Sequence, residues 1–408
     1  MPQRSDAEWA AQFRRELEGN ILHFWMERAA DRRHGGFYGL IASDGRIDEE
    51  APKAVVLHAR ALWTFSAAWR LLGERYRQIA QSAFAYLAEK FWDREQGGLF
   101  WMLNYRGRPL SMRKQIYAQA FGIYAFAERY RAGGEPTSLD FAKRLFRLIE
   151  HHSHDAAYGG YIEALDRAWR PLADMRLSDK DLNSPKTMNT HLHVLEAYTN
   201  LLRVWRDPEL VERQRALLSV MLERILDPKT AHFKLFFDKE WKSLSDHVSF
   251  GHDIEGSWLL VEAAEVIGER GLIARARQTA LAMTDAVRRQ GIDRDGSLFF
   301  EADTKGRLID AKKHWWAQAE AVVGFYNAYE ISGDIANLDA SRKVWNYIAE
   351  KVVDRVHGEW HAKLSPEGIP LTMEEYPEAY LVGPWKCPYH NARACLEMLR
   401  RLQQTALD

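Results

Sequence analysis

Three histidines stand near the starts of separate helix-like apolar runs. His193 lies in Asn189-Thr190-His191-Leu192-His193, His252 in Gly251-His252-Asp253-Ile254-Glu255, and His390 in Tyr389-His390-Asn391. Equivalent starts elsewhere offer Arg60, Tyr117 and the run His314-Trp315-Trp316. The positive end of a helix dipole disfavours imidazolium, so the three rings are expected to be neutral near pH 7 and able to accept protons. Neutral histidines facing one cavity, with a guanidinium nearby, suit proton abstraction next to a carbonyl. The base removes a C–H proton and the arginine holds the negative charge that develops on oxygen. A second histidine that returns a proton to the opposite face inverts the carbon, with no redox step and no cofactor.

A single histidine at a helix start is more often structural than catalytic. Three at matching positions favour a site. His191 and His193 lie about 200° apart on a helix. His191 therefore aligns with a packing stripe through Leu195, Tyr198 and Leu202, whereas His193 aligns with the small face of Ala197 and Asn200. His252 and Glu255, three apart, share a face, which would let the carboxylate orient or polarise a neighbour. No metal is expected, because His-Leu-His splays its rings and no His-Glu-x-x-His motif or close cysteine pair accompanies it. Cys387 and Cys395 read as helix packing, His58 as satisfied structure, and His151, His152 and His154 as surface.

Six scattered helix starts can share one site only if the chain repeats. It does: an aspartate followed by a glycine and aromatic turn recurs at Asp31, Asp93, Asp155 and Asp354, with degenerate copies at Asp227 and Asp293. Between markers the pattern holds two helices, one amphipathic and one apolar on most faces. The solvated runs fall near 6–28, 74–92, 137–153, 208–226, 271–289 and 335–353, and the buried ones near 54–71, 116–131, 189–205, 252–267, 314–331 and 389–403. The segments joining an outer helix to the next inner one read as short hairpins. An open solenoid has atypical polar ends, yet the first and last copies here match the motif well. The expected fold is therefore all-α: a closed (α/α)6 barrel of six helical hairpins, with short β-hairpins on one rim and a single domain over 1–408. Two long connections, 164–188 and 363–388, are expected to border the site.

The bulk numbers fit an enzyme acting on a small neutral molecule. With 408 residues and a formal charge of -1, the chain gives no electrostatic case for nucleic acid or an anionic membrane. No apolar run approaches the ~20 residues of a membrane span, and two cysteines make no disulfide framework. A cytoplasmic monomer or homodimer is expected. The 15 Trp, 16 Tyr and 18 Phe are the compositional outlier. Most are expected in the core and between helices, but several sit beside histidines, and indole faces suit the C–H surfaces of sugar rings.

The segments Met188-Asn-Thr-His-Leu-His-Val-Leu-Glu-Ala-Tyr198, Ser249-Phe-Gly-His-Asp-Ile-Glu255, His314-Trp-Trp-Ala-Gln-Ala-Glu320 and Pro388-Tyr-His-Asn391 resemble those of the N-acylglucosamine 2-epimerase superfamily, most closely its cellobiose 2-epimerases. The resemblance covers essentially the whole chain. It implies the same barrel and reversible epimerisation at C2 of a reducing-end aldose, glucose to mannose, within a β-1,4-linked disaccharide. It further implies His252 and His390 as the acid/base pair acting through a cis-enediolate, with Arg60 on the enediolate oxygens. His193 and Tyr117 would position the sugar, Asp181 and Asn189 would bind hydroxyls, and Glu255 would join the hydrogen-bond network. Trp315 and Trp385 would form aromatic walls, Trp385 for the second sugar ring. The chain departs from the pattern at His58, where asparagine is expected, and at Cys387, where glycine is typical. The approach Tyr376–Pro388 is also longer than usual, which keeps a free mannose/glucose 2-epimerase or aldose–ketose isomerase in contention. A glycoside hydrolase on this barrel would need two carboxylates ~5–10 Å apart. Glu255, Asp181 and Glu301 are candidates, but the rim is richer in histidine than in carboxylate.

Overall fold

A computed structural model describes residues 6–405. Its inner helices are Val55–Leu72, Ile116–Gly133, Met188–Leu202, Phe250–Ile267, Trp315–Ser332 and His390–Thr405. The outer helices begin at Asp6–Glu16, Arg77–Tyr86, Pro136–His152, Pro208–Val220, Arg270–Gln290 and Ile335–Tyr347. Each inner helix packs on the next, and the sixth returns to the first, so the ring closes as an (α/α)6 barrel. The helix Asp6–Glu16 backs the sixth inner helix and completes the outer layer. Burial follows from that placement. Every residue from Val55 to Trp69 is buried, whereas Pro136–His152 buries only a stripe through Ala142, Leu145, Phe146 and Ile149. Among the described residues, no helix is long and apolar enough to cross a membrane.

In four of the six repeats the marker aspartate does two jobs. Its main chain and one carboxylate oxygen close the turn: Asp31 Oδ1 accepts the amides of Arg33 and His34, and Asp93 Oδ1 those of Glu95 and Gln96. Its other oxygen takes a lysine from the strand that leads into the next inner helix. The pairs are Lys53–Asp31 at 2.6 Å, Lys114–Asp93 at 3.1 Å, Lys186–Asp155 at 2.8 Å and Lys313–Asp293 at 2.6 Å. These lysines are nearly or wholly buried, so the pairing is required rather than decorative. Burial alone would raise Asp31 and Asp93, but the lysines, Arg167 at Asp93 and the turn amides hold both carboxyls below the usual range.

A second device pins the same turn. The fourth residue of each of the first five inner helices accepts the amide that ends the marker turn: His58 from Phe37, Gln119 from Leu99, His191 from Tyr161, Asp253 from Phe233 and Gln318 from Leu298. His58 and His191 each also use Nδ1 on a main-chain carbonyl, that of Ala54 and Thr187. They are structural, as expected. The second glycine of the turn has no alternative here. Gly36 and Gly160 adopt φ of 68° and 76°, and a Cβ at either would lie 2.7 Å and 2.5 Å from the acceptor imidazole.

The hairpins form, but each gains a strand from the preceding repeat, which periodicity did not reveal. Lys53–Ala54 pairs with Met102–Leu103, Lys114–Gln115 with Ala164–Leu165, and Lys186–Thr187 with Phe236–Phe237. His247–Ser249 pairs with Glu301–Asp303, and Lys313–His314 with Lys363–Leu364. A bridge between Ile41 and Val382 closes this circuit as the helices close theirs. At the far end, ion pairs such as Arg70–Glu128, Arg203–Glu262 and Arg401–Glu330 tie the C-terminal ends of the inner helices together.

Lys53→Met removes the cation while keeping the volume, leaving the Asp31 carboxylate and the Gly35 carbonyl without their donor. A loss of about 3–5 kcal/mol is expected for half of a buried pair, or roughly 5 °C in the thermal midpoint for a chain this long. Calorimetry checks it; an unchanged midpoint would show that the pair does not hold the repeat.

Candidate active site

The hairpin rim surrounds a cavity of about 520 Å³. All ten residues singled out from the sequence line it: Arg60, Tyr117, Asp181, Asn189, His193, His252, Glu255, Trp315, Trp385 and His390. They converge because inner helices present the same turn to the centre. The sixth residue of the first five helices is Arg60, Phe121, His193, Glu255 and Glu320. It lies two places beyond the structural acceptor, hence about 200° round the helix.

The Arg60 guanidinium donates to the Tyr117 hydroxyl at 2.7 Å and lies 3.9 Å from the Cys387 thiol. It rests against the rings of Phe121 and Tyr389, at 4.2 and 4.7 Å from their centroids. Cys387 therefore does more than pack a helix. It forms part of the seat of Arg60.

The histidines differ in what stands behind them. His193 Nδ1 bonds Glu196 at 2.9 Å and His390 Nδ1 bonds Glu320 at 2.7 Å. A carboxylate on Nδ1 fixes the proton there and leaves Nε2 with its lone pair. His252 Nδ1 instead meets the Ser249 hydroxyl at 2.7 Å, which can give or receive a proton. The Trp316 ring contacts both His252, at 4.7 Å between centroids, and His390, at 5.5 Å. All three imidazoles are held well below their ordinary range. The first cause is burial rather than the helix dipole, followed by cations and neighbouring histidines: Arg60 and Arg393 for His390, His193 and Arg60 for His252.

Behind the histidines lies a charge cluster of which the sequence assigned a role to Glu255 alone. Arg393 donates to Glu255 and Glu320, each at 2.6 Å, and to Glu196. Tyr389 also donates to Glu196, and Trp258 to Glu320 at 3.1 Å. Burial works to raise Glu196, but Arg393 and His193 bring it down to about 2. The neighbour that Glu255 engages is Arg393 on the sixth helix, with His390 Nδ1 3.8 Å away. Glu255, Glu320 and His390 bring ligand-type atoms within 4.8 Å of one another. A cation there would have to displace the guanidinium that already bonds both carboxylates. A signal for Arg393 was present: it follows Lys386 at the interval that separates Lys53 from Arg60 and Lys186 from His193.

The mouth is walled by the two long connections. Lys180 on the first donates to the Tyr376 hydroxyl at 2.6 Å and to Glu378 at 2.7 Å on the second, and Lys363 reaches Glu378 at 3.2 Å. Trp385 stands half-buried with Trp101 and Tyr117, each 6.1 Å away centroid to centroid. Trp315 lies over the buried Lys386 ammonium at 4.2 Å and beside His390 at 5.5 Å. Asn189 lines the cavity with an Oδ1 that has no partner among the described residues. Asp181 lines it too, with one oxygen held by the main chain and hydroxyl of Ser178.

Comparison with known proteins agrees with this arrangement. A cellobiose 2-epimerase of Bacteroides fragilis is 48% identical over 95% of this chain and 98% of its own length. One from Ruminococcus albus is 38% identical over 96% and 98%. The solved cellobiose 2-epimerase of Bacillus thermoamylovorans superposes with a TM-score of 0.91 at 40% identity, covering 97% of this chain and all of its own. A D-mannose isomerase structure, at a TM-score of 0.82 and 20% identity, and a GH76 α-mannanase, at 0.65 and 10%, share the fold alone. The family model for N-acylglucosamine 2-epimerase (GlcNAc 2-epimerase) matches residues 35–380, and the chain belongs to that family.

Proposed function

We propose that this protein is a single-domain carbohydrate 2-epimerase that inverts C2 of the reducing-end aldose in β-1,4-linked disaccharides such as cellobiose. The observation that carries this reading is the pair His252 and His390, both in contact with Trp316, with Nδ1 already engaged and both lining the cavity. Once the sugar ring has opened, one imidazole takes the C2 proton and a cis-enediolate forms. Rotation about C2–C3 offers the other face, and the second imidazole, neutral at rest and charged by a solvent proton taken up during the reaction, protonates C2 there. Reversal exchanges the two roles. Glu320 behind His390 stabilises its charged form, and Ser249 can turn its hydroxyl to serve either form of His252.

Arg60 is suited to the enediolate because its bonds go to a phenol and a thiol, neither of which cancels its charge. Preorganised charge of that kind in a buried cavity acts where the transition state becomes negative. Tyr117 and His193, in edge contact at 5.0 Å, position the sugar, and Asn189 and Asp181 take hydroxyls. Trp315 walls the reacting ring and Trp385 the second ring, under the bridge of Lys180, Tyr376 and Glu378.

Incubation in D2O with cellobiose, and separately with mannose, tests the reaction. Deuterium at C2 with the glycosidic bond intact is expected; cleavage without exchange would identify a hydrolase instead. Turnover of mannose but not cellobiose would move the substrate to the free sugar. His252→Ala and His390→Ala are each expected to abolish inversion, and full activity in either would remove that residue from the mechanism. Trp385→Ala is expected to raise KM for cellobiose about tenfold, in line with the loss of one aromatic contact, while mannose turnover changes less. Equal effects on both sugars would place Trp385 at the reacting ring.

A further inference from the structure

One guanidinium cannot neutralise three buried carboxylates. Glu196, Glu255 and Glu320 all meet Arg393, and none of the four is more than 2% exposed. The other nearby cation, Arg60, has its bonds with Tyr117 and Cys387. Two uncompensated negative charges in such a place are costly, and a buried cluster of this kind keeps a proton rather than hold them.

The hydrogen bonds say where that proton sits. Glu196 accepts at both oxygens: Oε1 from Tyr389 and Arg393, Oε2 from His193 Nδ1. Glu320 does the same: Oε1 takes Arg393 at 2.6 Å and His390 Nδ1 at 2.7 Å, and Oε2 takes Trp258 at 3.1 Å. A proton on any of these four oxygens would point at a donor. Glu255 is different. Its Oε1 accepts from Arg393 at 2.6 Å, but among the described residues its Oε2 has no partner, although the side chain is fully buried and lines the cavity. Only there can an O–H point at something other than protein.

We propose that Glu255 is a neutral carboxylic acid in the working enzyme, protonated on Oε2, and that it donates a hydrogen bond from there to the sugar oxygen on which enediolate charge develops. The proposal rests on the enediolate reading for its role, though not for its protonation. A carboxylate at this point would face the enediolate with like charge; the neutral acid supplies an oxyanion donor opposite Arg60. The groups around it are Arg60 from the first helix, Tyr117 from the second, and His193 with Glu196 from the third. His252 lies on its own helix, Glu320 on the fifth, and His390 with Arg393 on the sixth. Burial, then Glu320, raise the Glu255 carboxyl, with Arg393 opposing.

The sign of the pH dependence follows. The neutral acid is present below its raised pKa and lost as pH climbs through it, so kcat/KM falls on the alkaline side. Glu255→Gln keeps a donor at that atom which cannot ionise. It is expected to lose no more than about tenfold at neutral pH and to lack the alkaline limb. Glu255→Ala removes the donor and should fall about 10²–10³-fold, as deletion of an oxyanion donor does. A Gln variant as inactive as Ala, or one with the alkaline limb in place, overturns the proposal. Infrared difference spectra provide a second readout should the Gln variant misfold. Wild-type enzyme should show a protonated-carboxyl C=O band at neutral pH that disappears at alkaline pH, and absence of the band overturns the assignment. The band is read without substrate. If C2–H exchange failed in D2O while the band was present, the reaction reading would fall and the protonation would stand.

Discussion

The carboxylate of each marker aspartate joins two pieces of chain that the sequence separates. One oxygen closes its own turn; the other, in four repeats, holds the lysine at the entrance to the next inner helix. The lysine fixes where that helix begins, and the beginning fixes which residue faces the barrel axis. Because these lysines are buried, a helix that slipped by one residue would strand a cation, at a cost far above that of a lost surface ion pair. The chemistry at the rim depends on this constraint. A base displaced by a single helical position would turn about 100° away from the cavity.

The sixth repeat shows what happens when the constraint is reassigned. Lys386 pairs with Glu359 rather than with Asp354, which is left to His357 at 3.0 Å. Glu359 occupies the second glycine position at φ 67° and is held there by Trp25, Asn391 and Lys386. A non-glycine residue in that region is strained, and the surrounding bonds keep it in place. The rearrangement brings Lys386 under Trp315 and lets the last inner helix start at His390 itself. The reacting wall and the imidazole are thus set by a repeat that departs from the common scheme.

The fold was legible because it is a period: aspartate turns, then alternating amphipathic and apolar helices, and the helix limits observed lie within a few residues of those read from the pattern. The site was legible as six helix starts. Three things were not. The cross-repeat strand pairs are only two or three residues long, too short for an alternating pattern to show. The entry lysines look like ordinary surface charge until their burial is known. Glu196, Glu320 and Arg393 were hidden for the same reason, since a charged residue on an apolar helix gives no sign of whether it faces a cavity, a partner or water. His58 and His191, by contrast, were separable from His193 because a difference of two positions on a helix reverses the face.

That separation is the general point about this barrel. On each of the first five inner helices, the fourth residue holds the turn and the sixth faces the centre. The fourth position must accept an amide, so it varies only among His, Gln and Asp. The sixth does not have to hold the turn and carries Arg60, Phe121, His193, Glu255 and Glu320. The structural demand and the chemical one are therefore met on opposite faces of the same turn, and one can change without the other. An α-mannanase and a D-mannose isomerase share the fold at 10% and 20% identity. A scaffold that fixes helix phase and leaves the central face free has room for that divergence, because new chemistry requires new side chains at the centre but no new way of holding the helices.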